Sequence, residues 1–84
     1  MTREQEKRFG DLVASLQLSA LYHLGEIPGP EGEKPSPDLS MARNTIEILE
    51  MLRQKTVGNL NPSEQGLIDH ALTELQMHFV EKKQ

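Results

Sequence analysis

The chain has 84 residues, a formal net charge of −4 and no cysteine. This length fits one domain, which we expect to bury only about 60–65% of its unfolded surface. Without cysteine there are no disulfides, and no apolar run approaches the ~20 residues needed to span a bilayer. Lys and Arg are scattered rather than clustered, so we expect neither nucleic-acid nor membrane binding.

The first predicted helix covers residues 3–24 and carries more apolar surface than one contact needs. Residues 1–8 are mostly charged, without an apolar signal core, so we expect a frayed end and a cytoplasmic protein. Gly25 can end this helix. One apolar face contains Phe9, Leu12, Val13, Leu16, Ala20 and Leu24, and an adjoining face contains Ala14, Leu18 and Leu21.

Residues 25–37 contain four prolines and three glycines, a composition that forbids regular structure. We favour a spacer over the alternative, a partner-binding loop with Ile27 as its apolar anchor. An extended path of ~3.1 Å per residue is long enough to return along a whole helix. The first two helices therefore need not be antiparallel, and the first helix can reach a second subunit.

The second predicted helix covers residues 37–56, with Ser36 as its cap and Pro37 at its first position. At about 100° per residue it shows two neighbouring apolar stripes, so we expect it to be central. One stripe contains Leu39, Ala42, Ile46 and Leu49, and the other contains Met41, Thr45, Ile48 and Leu52.

A short turn connects this helix to the third, which is predicted over residues 62–81. Gly58 is the expected left-handed residue past the helix end. Asn61 and Glu64 have the spacing of a capping box. Asn59 is interpreted as a structural turn residue rather than as a contact for a partner. The short connection predicts that helices 2 and 3 form an antiparallel hairpin.

These patterns predict an all-α fold in which three helices form one domain over residues 1–84. The third helix has a single apolar stripe, while the first two are apolar over about half their surface. The stripe of the third helix contains Leu67, Ile68, Ala71, Leu72, Leu75 and Phe79.

Three runs of sequence resemble a small bacterial family known as domain of unknown function 1844. They are Leu24–Pro28, then Asp38-Leu39 with Ala42 and Ile46, then Lys55–Leu60 followed by Glu64. The Lys-Thr-x-Gly-Asn-Leu run is the most specific, and Asn61 stands where the family's threonine is expected. The resemblance covers residues 9–80 and implies a bacterial helical protein. It implies no activity, substrate or site.

Two groups of polar residues have spacings that can support chemistry. His70, Glu74 and His78 share a helix face and can be metal or small-ligand groups, but the two histidines are about 12 Å apart along the helix. We therefore favour a solvated face. Ser19 and His23 are four residues apart, but nothing in the sequence supplies an oxyanion donor pair. We expect no enzyme activity and no cofactor.

The leading hypothesis is a helical protein-interaction module that associates with itself, as a homodimer through helices 1 and 2. Their second apolar faces add up to several hundred Å², which is more than soluble monomers usually expose. Two-fold pairing is the commonest way to bury such a patch. Another protein is a second class of partner. The alternative is a small-ligand or metal-binding module. The expected interface contains Leu18, Leu21, Met41, Ile48 and Leu52.

Overall fold

The computed structural model describes residues 2–33 and 36–83, and within these residues the chain forms three α-helices and no strand. The helices are α1 (Arg3–His23), α2 (Leu39–Lys55) and α3 (Pro62–Lys83). Each helix packs against both others. The predicted all-α, three-helix fold is confirmed. The predicted loop over 25–37 is described at 25–33 and 36–37, and its Lys34 and Pro35 lie outside the described residues.

Both ends of α1 are closed by local hydrogen bonds. Thr2 and Gln5 form a capping box, so residues 3–8 belong to the helix that we expected to fray at this end. At the other end, the Gly25 amide donates to the Tyr22 carbonyl at 3.0 Å and the Glu26 amide to the Leu21 carbonyl at 2.9 Å. With Gly25 at φ 78°, these two bonds constitute a Schellman motif.

The start of α2 differs from the prediction. The N-cap is Asp38, whose carboxylate accepts a hydrogen bond of 3.1 Å from the Met41 amide, and the helix begins at Leu39. The prediction of Ser36 as cap and Pro37 as first helical residue was therefore wrong. The physical reason is a tertiary contact, because the Asp38 amide donates to the carbonyl of His23 at 2.7 Å and fixes where the chain can turn into the helix.

The turn between α2 and α3 has the predicted chemistry. Gly58 has φ 83°, the left-handed conformation expected after a helix end. The Glu64 amide donates to the Asn61 side chain at 2.8 Å, and the Asn61 amide donates to Glu64 Oε1 at 2.9 Å, which completes a capping box. Asn59 donates its amide to the Thr56 carbonyl at 2.9 Å, so its backbone helps to shape the turn.

Contacts along α3 give the directions of the helices. Arg53, near the end of α2, lies 3.5 Å from Asp69, and farther along α3 Gln76 donates to Glu50 at 3.2 Å. These contacts favour the predicted antiparallel arrangement of α2 and α3. Gly10 lies beside Leu67 in the first halves of α1 and α3, and Gln17 donates to Glu74 at 2.8 Å in their second halves, so α1 and α3 run in the same direction.

The core lies along the axis of the three helices and uses the central residues of each predicted stripe. Phe9, Leu16, Leu39 and Phe79 are partly buried against this core. None of the helices in the described residues is long and apolar enough to cross a bilayer. The buried apolar residues are Val13, Ala20, Leu24, Ala42, Ile46, Leu49, Ile68, Ala71, Leu72 and Leu75.

Candidate functional site

Three apolar side chains of α2 are exposed along one side of the helix. Met41 is 46% exposed, Ile48 36% and Met51 46%. Their spacing keeps them within about 80° of one another around the helix axis. We refer to Met41, Ile48 and Met51 as the α2 stripe. The three side chains share one side of α2, together with the exposed Asn44.

The α2 stripe lies on the side of α2 that is turned away from α3. Ile46 is buried and borders the α2–α3 groove with Phe79. Because Ile48 follows Ile46 by two residues, its side chain projects about 160° away from that groove. The packing of α3 onto α2 therefore leaves the α2 stripe uncovered.

The structure divides the expected interface between different environments. Met41 and Ile48 belong to the α2 stripe, whereas Leu21 and Leu52 are partly buried against the core of their own chain. Leu18 is 56% exposed, but it borders a groove between α1 and the loop. Met51 was not among the predicted interface residues, although its spacing of three residues from Ile48 is a detectable helical repeat.

The groove beside Leu18 is the second exposed apolar feature, and we call it the α1–loop groove. It is open to solvent and has a volume of about 540 Å³. One wall comes from α1 and the other from the Pro/Gly-rich loop. The lining residues include Leu18, Ser19, Tyr22, Ile27, Pro28 and Pro30.

A charged cluster attaches the start of this loop to α3. Glu26 Oε1 lies 3.5 Å from Nδ1 of His78 and 3.5 Å from Nζ of Lys82. All three side chains are less than 40% exposed, so solvent screens this cluster less than it screens a fully exposed pair. Nδ1 of His78 is buried and forms no hydrogen bond within the described residues. Glu26 therefore has two cationic or polar neighbours on α3.

The face that contains His70, Glu74 and His78 does not bring these three groups together around one point. His70 Nε2 lies 4.0 Å from Glu74 Oε2, while Glu74 Oε1 accepts the hydrogen bond from Gln17. His78 is directed towards Glu26 instead. Among residues 2–33 and 36–83, no group of three His, Asp or Glu side chains has a geometry that could hold a metal ion.

Ser19 and His23 also occupy different surroundings. Ser19 lines the α1–loop groove. The His23 ring lies against Tyr22 with an edge-to-face geometry and a centroid distance of 5.3 Å. In the described part of the chain, no hydrogen bond joins the Ser19 hydroxyl to the His23 imidazole.

Asn59, exposed in the turn, borders a shallow hollow with Phe9 and Leu12 at the other end of the bundle. This position leaves its side-chain amide accessible, while the backbone of Asn59 takes part in the turn. The predicted structural-turn residues Gly58, Asn59 and Asn61 therefore lie together at the α2–α3 connection.

Comparison with known proteins gives a family without a described activity. The model of a domain of unknown function, DUF1844, matches residues 6–81. No curated protein and no solved structure matches the chain. The match covers nearly the whole of the three-helix bundle, from the first turns of α1 to the last turn of α3. The chain therefore belongs to the DUF1844 family.

Proposed function

We propose that this protein is a small helical interaction module that associates with itself through the α2 stripe. The observation that carries the proposal is the alignment of Met41, Ile48 and Met51 on the side of α2 turned away from α3, where each keeps 36–46% of its surface exposed. Contiguous apolar surface on a soluble domain is a common mark of a protein–protein contact. The flexible Met side chains can adapt to a facing helix.

The charges at the ends of α2 favour a two-fold arrangement with antiparallel helices. α2 begins with the carboxylate of Asp38 and ends with Arg53 and Lys55. An antiparallel pair of α2 helices places the acidic end of each copy beside the basic end of the other, which also aligns the helix dipoles favourably. In such a closed dimer, each copy contributes the same α2 stripe to the interface.

The experiment is sedimentation equilibrium of the full chain at micromolar concentration. We expect a mass near twice the 9.5 kDa of one chain. Ile48→Glu places a charge in the centre of the stripe and should give a monomer with the same helical circular dichroism. Met77→Glu is the matched control, because Met77 is 60% exposed on α3 and lies outside the stripe.

A 9.5 kDa species in the parent protein at this concentration would contradict the proposal. If Met77→Glu were monomeric and Ile48→Glu remained a dimer, the interface would lie on α3 instead. Loss of helicity in Ile48→Glu would leave that variant uninformative, so Met51→Gln supplies a milder change. Met51→Gln keeps the side-chain length, and we expect it to weaken dimerisation without affecting the fold.

A further inference from the structure

The loop wall of the α1–loop groove has its own internal hydrogen bonds. The Gly29 amide donates to the Glu33 carbonyl at 2.7 Å, and the Gly32 amide donates to the Gly29 carbonyl at 2.9 Å. Gly29 lies so close to the ring of Tyr22 and the carboxylate of Glu33 that a β-carbon there would collide with the carboxylate. This part of the loop is therefore packed onto α1.

The loop is also held at both of its ends. Its first residues are fixed by the Schellman bonds and by Glu26, which lies between His78 and Lys82. Directly after the loop, the amide of Asp38, the N-cap of α2, donates to the carbonyl of His23. Attachments on both α1 and α3 hold the groove in a preformed shape, and preformed sites lose less conformational entropy when they bind.

The interior of the groove suits an apolar side chain. Leu18, Ile27 and the ring of Tyr22 face this space, and Leu18 remains 56% exposed in the single chain. Pro28 and Pro30 provide rigid apolar surface on the other wall. Filling the groove with an aliphatic group removes this surface from water at little entropic cost to the protein.

The charged side chains of the segment that forms both walls of the groove are all acidic, and the cations before this segment are Lys7 and Arg8 in the first turns of α1. Residues 9–33 contain Asp11, Glu26, Glu31 and Glu33 and no Lys or Arg. The next cation along the chain, Lys34, lies outside the described residues. Lys82 approaches from α3, but its ammonium group is already paired with Glu26. Such a surface attracts cations and repels acidic partners.

From these observations we infer that the α1–loop groove binds a basic segment of another protein that inserts one aliphatic side chain. The aliphatic group fills the space beside Leu18, Tyr22 and Ile27, and flanking Lys or Arg side chains lie near Asp11 and Glu31. This site shares no residue with the proposed dimer surface, since no residue of the groove belongs to the α2 stripe.

The test is a titration of the ¹⁵N-labelled full chain, followed by amide chemical shifts, with three synthetic peptides. The first has a central leucine flanked by lysines, the second has glutamates in place of the lysines, and the third has serine in place of the leucine. We expect only the first peptide, with leucine and lysines, to change the amide chemical shifts of Leu18, Tyr22 and Ile27. Its affinity should fall as salt is added, because exposed charge pairs are screened.

Charge reversal gives a second, sharper test. Asp11→Lys with Glu31→Lys changes two exposed side chains that form no hydrogen bond or ion pair in the described residues. Glu33 is retained because its carboxylate accepts from the Glu31 amide and helps to order the loop. This variant should bind the lysine peptide roughly fivefold more weakly and prefer the glutamate peptide. Glu47→Lys, on the exposed side of α2, is the control and should leave both affinities unchanged.

Three results would overturn the inference. They are equal binding of the lysine and glutamate peptides, shifts confined to residues outside the groove, and no binding at millimolar peptide. Concentration-dependent shifts of the groove amides without any peptide would instead assign the groove to a second copy of this chain. Tyr22→Ala should abolish binding of the lysine peptide. Its helical circular dichroism and its oligomeric state should remain those of the parent protein.

Discussion

The backbone amide of Asp38 donates a 2.7 Å hydrogen bond to the carbonyl of His23, which joins the start of α2 to the end of α1. The Pro/Gly-rich loop thus leaves and returns at the same end of the bundle. Its length permits a return along a whole helix, but the chain does not use that reach. α1 packs against α2 and α3 of its own chain.

Because the ends of the loop meet, replacing residues 28–35 with a Gly/Ser linker of equal length should leave the bundle folded. We expect the free energy of unfolding to fall by about 1–2 kcal/mol, since the prolines restrict the unfolded chain. Urea denaturation followed by circular dichroism measures this change. A far larger loss would mean that the loop contributes to the core. The same variant should lose binding of the lysine peptide, because one wall of the groove is removed.

Replacement by Ala should change the free energy of unfolding in opposite directions at Gly58 and at Gly66. Gly58 has φ 83°, so Gly58→Ala forces a side chain into the left-handed region and should destabilise by about 1 kcal/mol or more. Gly66 is helical and has open space around its missing β-carbon, so Gly66→Ala should stabilise by about 0.5–1 kcal/mol. Thermal denaturation of both variants is the measurement. If both substitutions changed the melting temperature by the same amount in the same direction, the assigned turn geometry would be wrong.

The cap of α3 depends on one side-chain acceptor, which Asn61 supplies to the Glu64 amide. Asn61→Ala should lower the free energy of unfolding by about 0.5–2 kcal/mol. Asn61→Thr keeps an acceptor oxygen and should recover most of that loss. Glu64 is only 1% exposed, and its Oε2 has no hydrogen-bond partner among the described residues. If chemical denaturation gave the same free energy of unfolding for Asn61→Ala and Asn61→Thr, the cap would contribute little to stability.

The turns and helix ends were predictable where the chemistry is local. Gly25, Gly58 and the pair Asn61 and Glu64 act through neighbours in sequence, so their residue types alone indicate the geometry. The α2 cap was not predictable in this way. Ser36 satisfies the local rule for a cap, but the hydrogen bond between Asp38 and His23 depends on how two helices meet.

The same limit applies to the candidate interface. The helical repeat places Thr45 and Ile48 on one predicted stripe of α2, but the structure buries Thr45 to 7% exposure and leaves Ile48 at 36%. A repeat gives the angle of a side chain around its own helix, but not which neighbouring helices cover that angle. For this reason Leu18 and Ile48 share a predicted interface in the sequence and border different surfaces in the structure.

Substitution of Leu18 and Ile48 by Glu should therefore separate the two proposed surfaces. Ile48→Glu should give a monomer that still binds the lysine peptide, because the α1–loop groove is unchanged. Leu18→Glu should keep the dimeric mass but lose the apolar contact in the groove. This variant should therefore bind the lysine peptide with a central leucine and the peptide with a central serine with similar affinity. Both positions are exposed, so neither substitution buries a charge in the single chain.

Sedimentation equilibrium and amide chemical shifts measure the two properties on the same samples. If the variants affected both properties together, the groove and the α2 stripe would be parts of one interface, and α1 would have to contact the second copy. If Leu18→Glu alone gave a monomer, dimerisation would involve the α1–loop groove rather than α2. The expected separation follows from the geometry, since the loop packs beside Leu18 whereas Ile48 projects away from α3 on the exposed side of α2.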